Sequence, residues 1–157
     1  MILNISNLSK SYVGQSVLKE VSFHLEEKEK AAIVGINGSG KTTLLRCILG
    51  IEEADEGSIA FSKEYESLSG GQKTKKRLEE ILMEKPDLLI LDEPTNHLDI
   101  GSIQWLEKVL KRYDGAVLLV SHDRYFLDKI VTKVIDLERG KARMYLGNYT
   151  AYVEKKK

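Results

Sequence analysis

One cysteine, Cys47, stands in 157 residues, so no internal disulfide can form and a reducing compartment is expected. Net charge is also missing: 24 Lys and Arg face 24 Asp and Glu, which leaves no global field to draw in nucleic acid or an anionic membrane. Long apolar runs are missing as well. The longest, at 88–91 and 116–120, are far too short to span a bilayer. The opening "MILNISNLSK" has no basic stretch leading into an apolar segment, so no secretory signal is expected and the location expected is cytoplasmic. No repeat or low-complexity tract interrupts the chain. The closing "EKKK" reads as a solvated end or a cut linker.

What is present suits one domain with a real core: 42% apolar and 31% charged residues. Residues 2–8 alternate apolar and polar, as a half-buried strand does, and 17–25 do so less cleanly. Residues 31–34 form an apolar run that stops at glycine, and 43–49 have helical spacing that ends at Gly50. Residues 57–61 read as a short strand. Residues 73–84 read as a helix with a narrow apolar stripe at Leu78, Ile81 and Leu82, ended by Pro86 and Asp87. The runs 88–91 and 116–120 read as strands buried on both faces. Helices are predicted over 103–110 and 125–131, and a hairpin over 134–137 and 142–146 around "ERGK". Strands alternating with helices predict an α/β fold, a parallel sheet flanked by helices, with a smaller antiparallel sheet at the N-terminus.

Residues 35–42, Gly-Ile-Asn-Gly-Ser-Gly-Lys-Thr, fit G-x-x-x-x-G-K-[ST] at every fixed position, after an apolar strand and before a helix. Glycines there let successive N–H groups turn inward onto phosphate oxygens, and the following helix presents its positive end to the same anion. Lys41 is placed to reach the β- and γ-phosphates, and the Thr42 hydroxyl to ligate Mg²⁺. The nucleotide-binding set is thus Gly35, Asn37, Gly38, Ser39, Gly40, Lys41, Thr42 and Thr43. The alternative, a plain Gly-rich turn, does not account for the full match.

The segment "LLILDEPTNHLD" places Asp92 where a buried strand leaves the sheet, the edge at which ligands of α/β sheets collect. An aspartate there can hold Mg²⁺ through water, and Glu93 beside it can polarise an attacking water. By itself the pair is an ordinary turn; next to the cradle it reads as part of a site. His122 follows the strand 116–120 at the same edge and can hydrogen-bond a γ-phosphate. Its plain alternative is a helix start capped by Ser121 or Asp123, with His122 exposed.

In order, the cradle, Leu68-Ser69-Gly70-Gly71-Gln72, "LLILDEP" and Ser121-His122-Asp123 resemble the ATP-binding-cassette (ABC) ATPases. "EPTNHLD" and "YLGNYTAYVEKK" resemble the ABC-F group, soluble two-cassette proteins that act on the ribosome, and are similar to its first cassette. The resemblance implies ATP as substrate and Mg²⁺ as cofactor. It implies that Tyr12 stacks on adenine and that Glu93 and His122 are catalytic. It also implies that Ser69, Gly70, Gly71 and Gln72 clamp an ATP held by a second cassette, and that Asp99 communicates across that interface. A complete site then needs a partner cassette. The ribosome is the expected partner of a full-length parent, and no membrane partner is expected. The competing readings are a non-catalytic nucleotide scaffold and the ATPase subunit of a membrane transporter.

The chain departs from the family in one place. Only 25 residues, 43–67, separate Thr42 from Leu68, none of them glutamine. The family's glutamine loop and helical subdomain would lie there, so the expectation is one cassette over 1–157 with that subdomain lost or unrecorded between about 62 and 67. Lys75, Lys76, Arg77, Glu79 and Glu80, in place of the family's aliphatic residues, fit a helix whose usual neighbours are gone.

Overall fold

The computed structural model describes residues 1–36, 40–62, 65–68, 75–96 and 98–157, with the backbone alone at 66–68. Two sheets form. β1 (Leu3–Tyr12), β2 (Gln15–Leu25) and β4 (Glu56–Phe61) make an antiparallel sheet in the order β2-β1-β4. A six-stranded sheet has the order β5-β6-β7-β3-β8-β9, from β5 (Tyr65–Leu68), β6 (Leu88–Asp92), β7 (Ala116–Val120), β3 (Lys30–Val34), β8 (Lys133–Glu138) and β9 (Lys141–Leu146). All its pairings are parallel except β8 with β9, the predicted hairpin.

The apolar runs form the central strands because each of their side chains, up or down, enters a core. On one face Ala31, Ile33, Leu88, Ile90, Leu118 and Ile135 meet the antiparallel sheet and α1 (Lys41–Ile48). On the other, Ala32, Leu89, Leu91, Val117, Leu119 and Val134 meet α2 (Lys75–Met83), α3 (Ile100–Arg112), α4 (Arg124–Ile130) and α5 (Tyr149–Lys156). Successive residues of a strand thus divide between two cores, as the period of two requires. Burying a Leu or Ile fully contributes roughly 1.5–3 kcal/mol, so a five-residue run with no solvated face is a strong determinant of the central sheet.

The predicted stripe on α2 is observed. Leu78 and Ile81 are buried and Leu82 is half-buried, while Lys75, Lys76, Glu79 and Glu80 face water. The strand read over 57–61 is β4, and residues 65–68, read only as the approach to the glycine motif, form a separate strand, β5. β4 pairs with β1 in the antiparallel sheet, and β5 pairs with β6 in the parallel one. Phe61 and Tyr65 stack across the change of sheet with ring centroids 4.2 Å apart.

Candidate functional site

Lys41 and Thr42 open α1, directly after Gly40. Gly40 has φ +100°, and a Cβ there would lie 3.1 Å from Leu18 Cδ2 and 3.2 Å from the Val17 carbonyl oxygen. Glycine is required on both counts, since the backbone must turn left-handed and pass close to β2. The Leu44 N–H donates to the Gly40 carbonyl at 2.8 Å, which starts the helix. No acidic side chain stands in the first turn and no side chain caps it among the described residues, so its N–H groups keep their positive character.

The other residues of the site come from the C-terminal edge of the large sheet. Asp92 ends β6, in register with Val120 of β7. Glu93 follows with φ +50°, unusual for a residue with a Cβ, and its N–H donates to the Val120 carbonyl at 2.7 Å. Its carboxylate faces His122: the His122 N–H donates to Oε2 at 3.4 Å, and Nε2 lies 3.2 Å from Oε1. The Glu93 side chain is 16% exposed and that of His122 63%. Asp123 caps the next helix, and Ser121 holds the cap residue in turn. The Asp123 N–H donates to Ser121 Oγ at 3.0 Å, and Asp123 Oδ1 accepts from the Phe126 N–H at 3.1 Å. The capping reading and the contact with Glu93 hold together.

Gly40, Lys41, Thr42, Thr43, Asp92, Glu93 and His122 line one cleft of about 520 Å³, together with Val17 and Val120. Burial pushes the Lys41 ammonium below its ordinary value, and the charges of Glu93 and Asp92 oppose that shift. The cleft therefore holds a half-buried cation, an exposed threonine hydroxyl and two half-buried carboxylates at a free helix start. A magnesium–polyphosphate fits this donor set: ammonium and N–H groups for the anion, hydroxyl and carboxylate for the metal. Val17 is the lining residue that the sequence did not announce. It reaches the cleft only through the long-range packing of β2 on Gly40.

Gly35 lies outside this cleft. With Lys41 and His122 it lines an adjoining cavity of about 400 Å³, whose lining also includes Arg124, Tyr149 and Lys156. Tyr12 lies at the end of β1, paired with Gln15 across the turn, 39% exposed, with Lys10 Nζ 5.2 Å from its ring centroid. It is not among the lining residues of either cavity. Asp99 is the N-cap of α3, where it accepts the Ser102 N–H at 2.7 Å, and that bond holds its carboxyl below the usual range. Asn37, Gly38, Ser39, Ser69, Gly70, Gly71 and Gln72 lie outside the described residues.

A mostly parallel sheet with a helix that starts after Gly40 at the C-terminal edge of its strands, backed by a small antiparallel sheet, defines the class: the fold is that of an ABC ATPase domain. A nucleotide-free ATP-binding cassette from an ABC transporter superimposes with a TM-score of 0.83 at 17% identity, over 98% of this chain and 95% of that one. Residues 18–65 and 60–96 match the family model described as ABC transporter. The chain belongs to this family, in its ABC-F group. It is 37% identical over 187 residues to the ribosome protection protein VmlR of Bacillus subtilis, covering 98% of this chain and 34% of that protein. It is 56% identical over 90 residues to the energy-dependent translational throttle protein EttA of Mycobacterium tuberculosis, covering 57% of this chain and 16% of that protein. Against two other Bacillus subtilis relatives the chain spans 39% of their length. Among the described residues no helix is long and apolar enough to cross a membrane.

Proposed function

We propose that this chain is an ABC-F cassette that binds Mg-ATP and hydrolyses it to ADP and phosphate when paired with a second cassette. The observation that carries this reading is the single cleft shared by Lys41, Thr42, Asp92, Glu93 and His122. Lys41 and the N–H groups of α1 hold the phosphates. Thr42 and Asp92 would hold the metal, which would supply positive charge against the phosphates. Glu93 accepts the proton of the attacking water, and His122, in contact with Glu93, steadies the γ-phosphate. Tyr12 stacks on the base, and Ser69, Gly70, Gly71 and Gln72 serve the ATP of the partner cassette, with Asp99 at the interface. Catalysis of this kind rests on positioning and charge stabilisation. The names of the relatives support a ribosomal setting for the full-length parent.

The shortened middle supports a reduced cassette that lacks the helical subdomain near 62–67. The family match falls into two pieces that meet at 60–65, and alignments covering 99% of the 157-residue chain extend over 250 and 212 residues. That loss favours a second reading, a nucleotide scaffold without turnover, which a single-turnover assay separates from the first. The primary test is ATP affinity: Lys41→Ala should weaken binding at least about tenfold, the loss of one charge-assisted phosphate contact. Equal affinity in the variant rejects the assigned cradle.

A further inference from the structure

The β8–β9 hairpin, with Lys19 of β2 and Lys156 of α5, lines an open groove of about 660 Å³ that shares Asp136, Glu138 and Lys156 with the cavity of about 400 Å³ and no residue with the cleft of Lys41 and Glu93. Five cations line it: Lys19, Arg139, Lys141, Arg143 and Lys156. Its two carboxylates are already engaged. Lys156 Nζ lies 2.8 Å from buried Asp136 and 3.6 Å from Glu138. Lys19, Arg139, Lys141 and Arg143 are exposed and pair with no carboxylate among the described residues.

Close packing of the hairpin turn brings these cations together. The Lys19 N–H donates to the Gly140 carbonyl at 2.8 Å, and a Cβ on Gly140 would lie 2.6 Å from the Val17 carbonyl oxygen. The turn therefore sits on β2 itself, which brings Lys19 into the same groove as Arg139 and Lys141. Along β9, Lys141, Arg143 and Tyr145 alternate onto one face, at steps of about 7 Å.

We propose that this groove binds the phosphate backbone of a structured RNA. Four exposed cations with no carboxylate partner among the described residues, two of them one strand step apart on β9, match a polyanion whose charges run in a line. A membrane surface is a poorer match, because the exposed apolar residues of β9, Met144 and Leu146, alternate to the face opposite Lys141 and Arg143. The choice of RNA among polyanions rests on the ribosomal setting proposed above.

The test is fluorescence anisotropy of a short fluorescein-labelled RNA hairpin titrated with the whole chain over a range of KCl. Binding should weaken with salt with a log–log slope of about −0.7 to −0.9 per neutralised phosphate. The double variant Lys141→Glu with Arg143→Glu should weaken binding at least about tenfold and flatten the slope by about 2, one per lost contact. Lys141→Gln with Arg143→Gln should fall between that variant and the unmodified chain. Charge reversal of Lys111 and Arg112, exposed at the end of α3, should change neither quantity. ATP affinity measured on the same double variant should stay unchanged, so loss of the RNA contact and loss of the nucleotide site read out separately. Unchanged RNA affinity and slope in the double variant overturn the proposal. So does binding of a poly-glutamate peptide or of phosphatidylserine vesicles as tight as that of the RNA.

Discussion

Glu93 and Tyr113 show how single residues here are set by neighbours distant in sequence. Glu93 keeps a left-handed backbone because its N–H continues the β6–β7 ladder onto Val120 and its carboxylate meets His122. Tyr113, the C-cap of α3, donates its hydroxyl to the Pro86 carbonyl at 2.5 Å, and burial pushes that hydroxyl up to about 12. The neutral phenol is the form the fold favours. The unfolded chain loses this proton near pH 10 and the folded chain near 12, so stability from this group is complete below pH 10 and is lost between 10 and 12. Denaturant titrations of Tyr113→Phe should show a loss of about 1 kcal/mol at pH 7 from the missing hydrogen bond. They should also show a shallower decline from pH 10 to 12. An identical alkaline decline would mean that other groups govern that range. Much at this scale was legible: Lys41, Thr42, Asp92, Glu93 and His122 announce themselves by spacing, and the structure brings them to one cleft. Val17 did not, because nothing in "QSVLKE" records that β2 will press on Gly40.

The elements divide by how strongly their pattern binds them to one environment. β6 and β7 match the predicted runs at 88–91 and 116–120 to within a residue, since an unbroken apolar run is stable only between two cores. α3 and α4 start where Asp99 and Asp123 supply caps. β5 was not legible as a separate strand. "YESL" carries no clear alternation, and its parallel register beside β6 is a tertiary fact. The β8–β9 hairpin was read correctly, but its seat on β2 was not. That seat depends on Gly140, whose φ of +80° and contact with Val17 exclude a side chain. Gly140→Ala should lower unfolding free energy by roughly 1–3 kcal/mol through strain and the displaced turn. A denaturation midpoint equal to that of the unmodified chain would show that the turn relaxes freely.

For the whole molecule, the central point is that the sequence carries one G-x-x-x-x-G-K-[ST] motif and one Leu-Ser-Gly-Gly-Gln motif, in a chain that spans 39% of the length of two of its relatives. On the proposed mechanism, a complete site needs a second cassette, so hydrolysis depends on encounter. Specific activity should therefore rise with protein concentration until the cassettes pair, and Glu93→Gln should abolish the magnesium-dependent rate while ATP affinity is kept. Activity per molecule independent of concentration would place a complete site within one chain. Activity retained in Glu93→Gln would remove that residue from proton acceptance.

The sequence by itself determined the family, the α/β class and the main residues of the cleft, because those depend on local spacing: a glycine loop before a helix, carboxylates where a strand ends, apolar runs that must be buried. The tertiary structure decided what arises between distant segments. It brought His122 onto Glu93, set Val17 against Gly40 and placed β5 in the large sheet. It also gathered Lys19 with Arg139, Lys141 and Arg143 into a groove that a chain of zero net charge does not advertise. The reason is physical: contacts between segments a hundred residues apart follow from which faces remain to be buried after the local elements have formed.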